Sequence, residues 1–198
     1  ILNDIQVPYM MEYLICNNGA IVVTGSIDLT GTKLPELPRF GMRMELHQPY
    51  ENLTYYGRGP LENYIDRYSS SFIGRYEDKV ENQFYWYIRP QETGNKTDVR
   101  WLTLLDSEGQ GVRITGLQPI AFSALHFSPE DLDPGLTRKL QHTIDIVPQK
   151  NIFLHVDLKQ RGLGGDNSWG MYPHNEYRLL DKKYTYSYMI ELVEKKSD

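Results

Sequence analysis

Phe40-Gly41-Met42-Arg43-Met44-Glu45-Leu46-His47 alternates without a break: every even position is apolar, and every odd one is glycine or carries a charged or polar group. Successive side chains of a β-strand point to opposite faces, so this period of two predicts a strand with one face on a core and one in water. The pattern returns at Ile152, Leu154, Val156 and Leu158, set against His155, Asp157 and Lys159, and again at Tyr184, Tyr186, Tyr188, Ile190 and Leu192. Shorter runs predict further strands at residues 12–16, 20–29, 53–56, 84–89, 99–105, 111–115, 120–127 and 143–147. Asn17-Asn18-Gly19 and Asp106-Ser107-Glu108-Gly109 supply the residues that tight hairpins require.

Only residues 128–141 read as helical. Ser128 suits the N-cap, Pro129 the first turn, and Glu130 and Asp131 the positive helix end. Asp133-Pro134-Gly135 then interrupts that helix or ends it after about one turn. Ten or more short strands with almost no helix predict an all-β fold, an antiparallel sandwich or barrel with two layered sheets. With no internal repeat, low-complexity tract or linker, residues 1–198 read as one domain.

Composition narrows the function classes. The chain is 40% hydrophobic and 24% charged, ordinary for a globule, but Tyr 15, Phe 6 and Trp 3 make it rich in aromatics. Broad rings suit a pleated sheet, and they also suit stacking against sugar C–H faces. The formal charge is −5 and no basic stripe exists, because Arg138-Lys139 and Lys195-Lys196 are isolated pairs; nucleic acid is not an expected partner. No apolar stretch approaches the ~20 residues of a membrane span, and the opening Ile1-Leu2-Asn3-Asp4 has no signal-peptide pattern. The single Cys16 excludes an internal disulfide. Asn52-Leu53-Thr54 and Asn95-Lys96-Thr97 match glycosylation sequons, too short a pattern to assign a compartment.

Little here announces chemistry. Five histidines are scattered, His174-Asn175-Glu176 lacks metal-ligand spacing, and neither a nucleophile elbow nor a phosphate-cradling loop occurs. Retaining glycoside hydrolysis needs two carboxyls about 5 Å apart, and spacing singles out no such pair. Glu62 and Asp66 come closest, but Arg58 and Arg67 beside them favour an arginine-clamped structural corner. More informative is Arg161-Gly162-Leu163-Gly164-Gly165-Asp166-Asn167-Ser168-Trp169-Gly170. Half of it is Gly or Ser, Asp166 and Asn167 suit hydroxyls, and Trp169 places the largest aromatic face in a loop. Physics alone leaves two roles open for that ring, a sugar platform or a hydrophobic plug.

Gly-Gly-Asp-Asn-Ser-Trp after Phe153-Leu154-His155-Val156-Asp157 resembles the C-terminal, or small-chain, domain of β-galactosidases of glycoside hydrolase family two. Other stretches match in the same order. They are Gly57-Arg58-Gly59-Pro60-Leu61-Glu62-Asn63-Tyr64-Ile65-Asp66-Arg67, then Pro90-Gln91-Glu92-Thr93-Gly94-Asn95-Lys96 with Val99-Arg100-Trp101. Phe122-Ser123-Ala124 with Leu132 and His142 follows, and Tyr177-Arg178-Leu179 and Tyr184-Thr185-Tyr186 close the series. Each motif alone is weak; their order and spacing, from residue 37 to the C-terminus, are specific.

The resemblance implies an antiparallel supersandwich related to galactose mutarotase, and a parent enzyme that cleaves terminal β-D-galactosyl residues from galactosides or oligosaccharides. It puts the catalytic glutamates and the magnesium in a separate (β/α)₈ barrel, leaving this chain with no catalytic residue, metal or cofactor of its own. Trp169 maps onto the tryptophan that walls the sugar site, while Asp166 and Asn167 fall where the family varies and carry no assigned contact. The expected partners are therefore the galactoside substrate and the other domains, above all the barrel. The family's domain is commonly longer at its N-terminal side, so Ile1 is expected to lie inside it, leaving an open strand edge that favours homo-oligomers. An alternative is an independent mutarotase-like epimerase or carbohydrate-binding module. Epimerisation would draw a general acid and base from His126, His155 or His174 with Glu176, although no spacing selects a pair.

Overall fold

The computed structural model describes residues 6–133, 135 and 141–195. Nine strands dominate: β1 Tyr9–Ile15, β2 Ile21–Asp28, β3 Arg39–Leu46, β4 Asn52–Gly59, β5 Phe72–Lys79, β6 Lys96–Leu105, β7 Gly111–Leu125, β8 Ile152–Gln160 and β9 Lys183–Val193. Every pairing among them is antiparallel. The main path runs β1-β2-β9-β7-β6-β4-β5, and β8 joins it through β7 while carrying β3 on its far side.

The long strand β7 explains how one hydrogen-bonded network makes a layered fold. Its first part, from Gly111 to Gly116, pairs with β9, and its last part, from Ala121 to Leu125, pairs with β8. Two arms, β2-β9 and β3-β8, thus leave the same edge of β7 in succession and fold face to face. Phe40 of β3 meets the rings of Tyr184 and Tyr186 of β9 at 5.6 Å, and Tyr186 Oη donates to the Val156 carbonyl of β8 at 2.8 Å. Between the arms lies the main core, where Leu154, Val156, Phe122 and Tyr188 have no exposed surface. The alternation in β3 and β9 buries Phe40, Tyr184, Tyr186 and Tyr188, but it fails at the end of β9, where Leu192 is 73% exposed. In β8 it is realised on one face only: Asp157, expected in water, is fully buried, because a second layer covers that face.

Other departures have local causes. The runs 111–115 and 120–127 merge into the single strand β7. The aromatic run 84–89 forms no strand; its rings build a satellite cluster instead, Phe84 lying 4.4 Å from Phe127 and 4.9 Å from Trp86. The run 143–147 likewise is no strand but a 3₁₀ turn at Thr143–Asp145, and Ile146 enters the same cluster. β5 was not legible because, as an edge strand paired only with β4, most of it is exposed and it has no alternation to display. The helical stretch shrinks to α1, Pro129–Leu132, closed by a capping box between Ser128 and Asp131 and ending at an extended Asp133. The rest of its expected range, residues 134 and 136–140, lies outside the described residues. Among the described residues β1 pairs only with β2, so its outer edge is open, with Tyr13, Leu14 and Ile15 exposed along it.

Candidate functional site

The glycine-rich loop leaves β8 and is held at its base from two sides. On one side Gly162 N–H donates to the Tyr177 carbonyl and Gly164 N–H donates to Asp66 Oδ2, both at 2.8 Å. Glycine is needed there: a Cβ on Gly162 would stand 2.7 Å from the Asp66 carboxyl. On the other side Glu36, only 5% exposed, accepts from Arg161 Nη1 at 2.8 Å and from Arg178 Nε at 2.5 Å. Burial opposes the Glu36 charge, yet the Arg178 and Arg161 guanidiniums outweigh it and hold its carboxyl below the usual range. Both guanidiniums also lie over the Tyr172 ring, at 5.4 and 4.9 Å.

With the base fixed, only the tip projects. Trp169 is 91% exposed, and its backbone N–H donates to Asn167 Oδ1 at 2.8 Å. Within this chain the ring is therefore no hydrophobic plug. Asp166 spends its carboxylate on exposed His174 at 2.8 Å, a hydrogen bond that raises the histidine's pKa. Beside the base a concavity of about 310 Å³ is lined by Asp66, Arg67, Tyr87, Gln91, Leu163 and Gly164. The loop thus carries an exposed indole at its tip and a polar hollow at its base, the two kinds of surface that a sugar ring requires.

Glu62 and Asp66 hold different partners. Glu62 accepts from Arg67 Nη2 at 2.7 Å, Gly94 N–H at 2.8 Å, Thr93 Oγ1 at 3.1 Å, Tyr64 Oη at 3.5 Å and also from Tyr87 Oη. It pins the 84–94 segment to the 57–67 corner and has little capacity left for a substrate. Arg58 does not join this clamp; it pairs with Asp98 at 2.5 Å and donates to the Ser71 carbonyl at 3.0 Å. Asp66 holds Gly164 rather than an arginine, and its Oδ1 is buried without a hydrogen-bond partner among the described residues. Sequence distance hid that contact, since the two residues are 98 positions apart.

The histidines do not converge. His126 binds Glu51 at 3.0 Å and His174 binds Asp166, while His155 Nδ1 lies 2.9 Å from an Arg39 nitrogen. Among the described residues no group of three or more His, Cys, Asp or Glu side chains is placed to hold a metal ion, and no helix is long and apolar enough to cross a membrane.

Known proteins bear on this geometry. The family model described as the β-galactosidase small chain matches residues 3–190. A β-galactosidase of Priestia megaterium is 35% identical over 91% of this chain, one of Streptococcus thermophilus 34% over 95%, and BgaC of Bifidobacterium adolescentis 35% over 80%. The chain spans only 17%, 18% and 15% of those three relatives' lengths.

Proposed function

The chain belongs to the β-galactosidase small-chain family, and from that premise we propose that it is the accessory all-β domain of a glycoside hydrolase that releases terminal β-D-galactosyl residues. Acid, nucleophile and magnesium belong to a catalytic barrel elsewhere in the longer polypeptide, and this chain lends that site an aromatic wall. Its partners are the galactoside and the barrel. The observation that carries the reading is Trp169, an indole 91% exposed at the tip of a loop clamped at both ends of its base. Exposing so large an apolar face to water is unfavourable, and a sugar ring or a neighbouring domain relieves that cost.

The carboxylates of this chain support a non-catalytic role. A retaining mechanism needs two carboxyls about 5 Å apart, one of them free to give up a proton. Glu62 is committed to five donors and Asp66 to the loop backbone. The chain alone is therefore inactive and binds galactose weakly, since it offers one wall of the site. The test is a chromogenic β-galactoside with the purified chain and with the longer polypeptide. Turnover only in the latter is expected; turnover by the chain alone, lost on substituting one of its own acids, would refute the reading.

A further inference from the structure

Both faces of β8 are covered, and they differ. Ile152, Leu154 and Val156 enter the main core, so Phe153, His155 and Asp157 point the other way. Register sets Leu125, Ser123 and Ala121 of β7 beside these three, and Arg43 and Gly41 of β3 opposite His155 and Asp157. The 90–93 segment and α1 rise as walls around this patch and leave a cleft of about 280 Å³. Its lining includes Arg39, Glu92, Ser123, His155, Phe127 and Phe153, and none of it belongs to the 161–170 loop.

The polar groups of the cleft are organised by one guanidinium. Arg39 Nη2 donates to Glu92 Oε1 at 2.8 Å and to Gln160 Oε1 at 2.5 Å, and Nε faces Asp157 Oδ2 at 3.1 Å. Asp157 is fully buried, and neither of its oxygens accepts an aligned hydrogen bond among the described residues; its contact with Arg39 is an ion pair. Arg39 Nη1 lies 2.9 Å from His155 Nδ1. An arginine has no acceptor, so Nδ1 must accept, which leaves His155 neutral with its proton on Nε2. Burial and the positive charges of Arg39 and Arg43 keep it neutral, with a pKa near 4.

The resulting inventory specifies a ligand class. Glu92 accepts, the His155 Nε2–H donates, and Ser123 can do both, its hydroxyl having no hydrogen bond to any described residue. Two phenyl rings supply apolar faces. The lining carries both signs: a cation would meet Arg39, and an anion would meet Glu92 and Asp133. The volume lies near the ~300 Å³ lower bound of small-molecule sites. We propose that this cleft binds one neutral sugar ring of hexopyranose size, through Glu92, Ser123 and His155 with Phe127 and Phe153 as its apolar walls. The proposal does not depend on the role of Trp169.

Equilibrium dialysis of labelled D-galactose and D-glucose against the longer polypeptide that carries this chain tests it, with D-galacturonate as the charged control. Millimolar, saturable binding of a neutral sugar is expected, and markedly weaker binding of galacturonate. Ser123→Ala removes a hydroxyl that holds none of the described residues, so it should fold normally and weaken this binding about five-fold, the loss of one hydrogen bond. Glu92→Gln should weaken it further, and because Trp169→Ala lowers only the share of binding at the catalytic sugar site, a saturable component sensitive to Ser123→Ala should persist in that background. Binding untouched by both cleft variants, or abolished by Trp169→Ala alone, would overturn the cleft proposal, and the second result would leave the sugar-wall reading standing.

Discussion

Glu62→Ala separates a structural carboxylate from a catalytic one. The side chain is 11% exposed and accepts from Arg67, Tyr87, Thr93, Gly94 and Tyr64. Those five losses do not count equally. Arg67 is 55% exposed, so water replaces the carboxylate there at little cost. The Tyr64 contact is long, at 3.5 Å. The Thr93 hydroxyl and the Gly94 N–H are buried and would be orphaned, at about 1–3 kcal/mol each. The expected destabilisation is therefore about 3 kcal/mol, or roughly 6–12 °C in melting temperature for a chain of this size. Urea denaturation of the purified chain measures it, and Glu62→Gln, which keeps one acceptor oxygen, should fall between wild type and Ala. A melting curve unchanged in Glu62→Gln, together with loss of turnover in the longer polypeptide, would refute the structural assignment and make Glu62 a reacting group.

Gly41→Ala should destabilise the fold by about 1–3 kcal/mol or more, because the new Cβ would stand 1.9 Å from Asp157 Oδ1 and 2.6 Å from its Cα, forcing β3 away from β8; an unchanged urea midpoint would contradict the packing described. Acid should weaken the fold through His155. Its folded pKa of about 4 lies below the ordinary 6.5, so its contribution is intact above 6.5 and is lost as pH falls through that window, by roughly 2–3 kcal/mol at about pH 4.5. Burial lifts Asp157 to about 7 and acts in the opposite sense over the same range, so the histidine's share is read as the difference between wild type and His155→Gln, which should shrink from pH 7 to 4.5. Parallel pH profiles would contradict it.

The sandwich was legible where one face of a strand meets water. Met42, Met44 and Leu46 alternate with Arg43 and Glu45 because solvent and core impose opposite demands on neighbouring residues. The same logic misread β8, where His155 and Asp157 look like a wet face but lie beneath α1 and the 90–93 segment. That cover could not be foreseen, because Phe84, Tyr85 and Trp86 have strand propensity and only tertiary packing on Phe127 shows that they turn aside. The loop around Trp169 stood out through its glycines and its resemblance to a known motif. Its anchors, Asp66 and Glu36, carried no local signal, since Asp66 acts on Gly164 98 positions away and Glu36 on Arg161 and Arg178, 125 and 142 positions away. Arg39 was similarly hidden: its four partners come from β8 and the 90–93 segment, far from β3 in sequence.

Steady-state kinetics of Trp169→Ala in the longer polypeptide test the central claim most directly. The Trp169 side chain is exposed among the described residues, so its loss should leave the fold intact. Stacking on a sugar contributes ~1–2 kcal/mol, of the order of aromatic pairs beyond simple burial. At about 1.4 kcal/mol per tenfold, kcat/KM should fall roughly five- to thirty-fold. A stacking contact of this kind would exist already with bound substrate, so the loss should appear mainly as a raised KM, whereas loss of a catalytic carboxylate would collapse kcat by orders of magnitude. An unchanged KM, with the variant's melting curve matching wild type, would contradict the account and leave Trp169 without a role at the sugar.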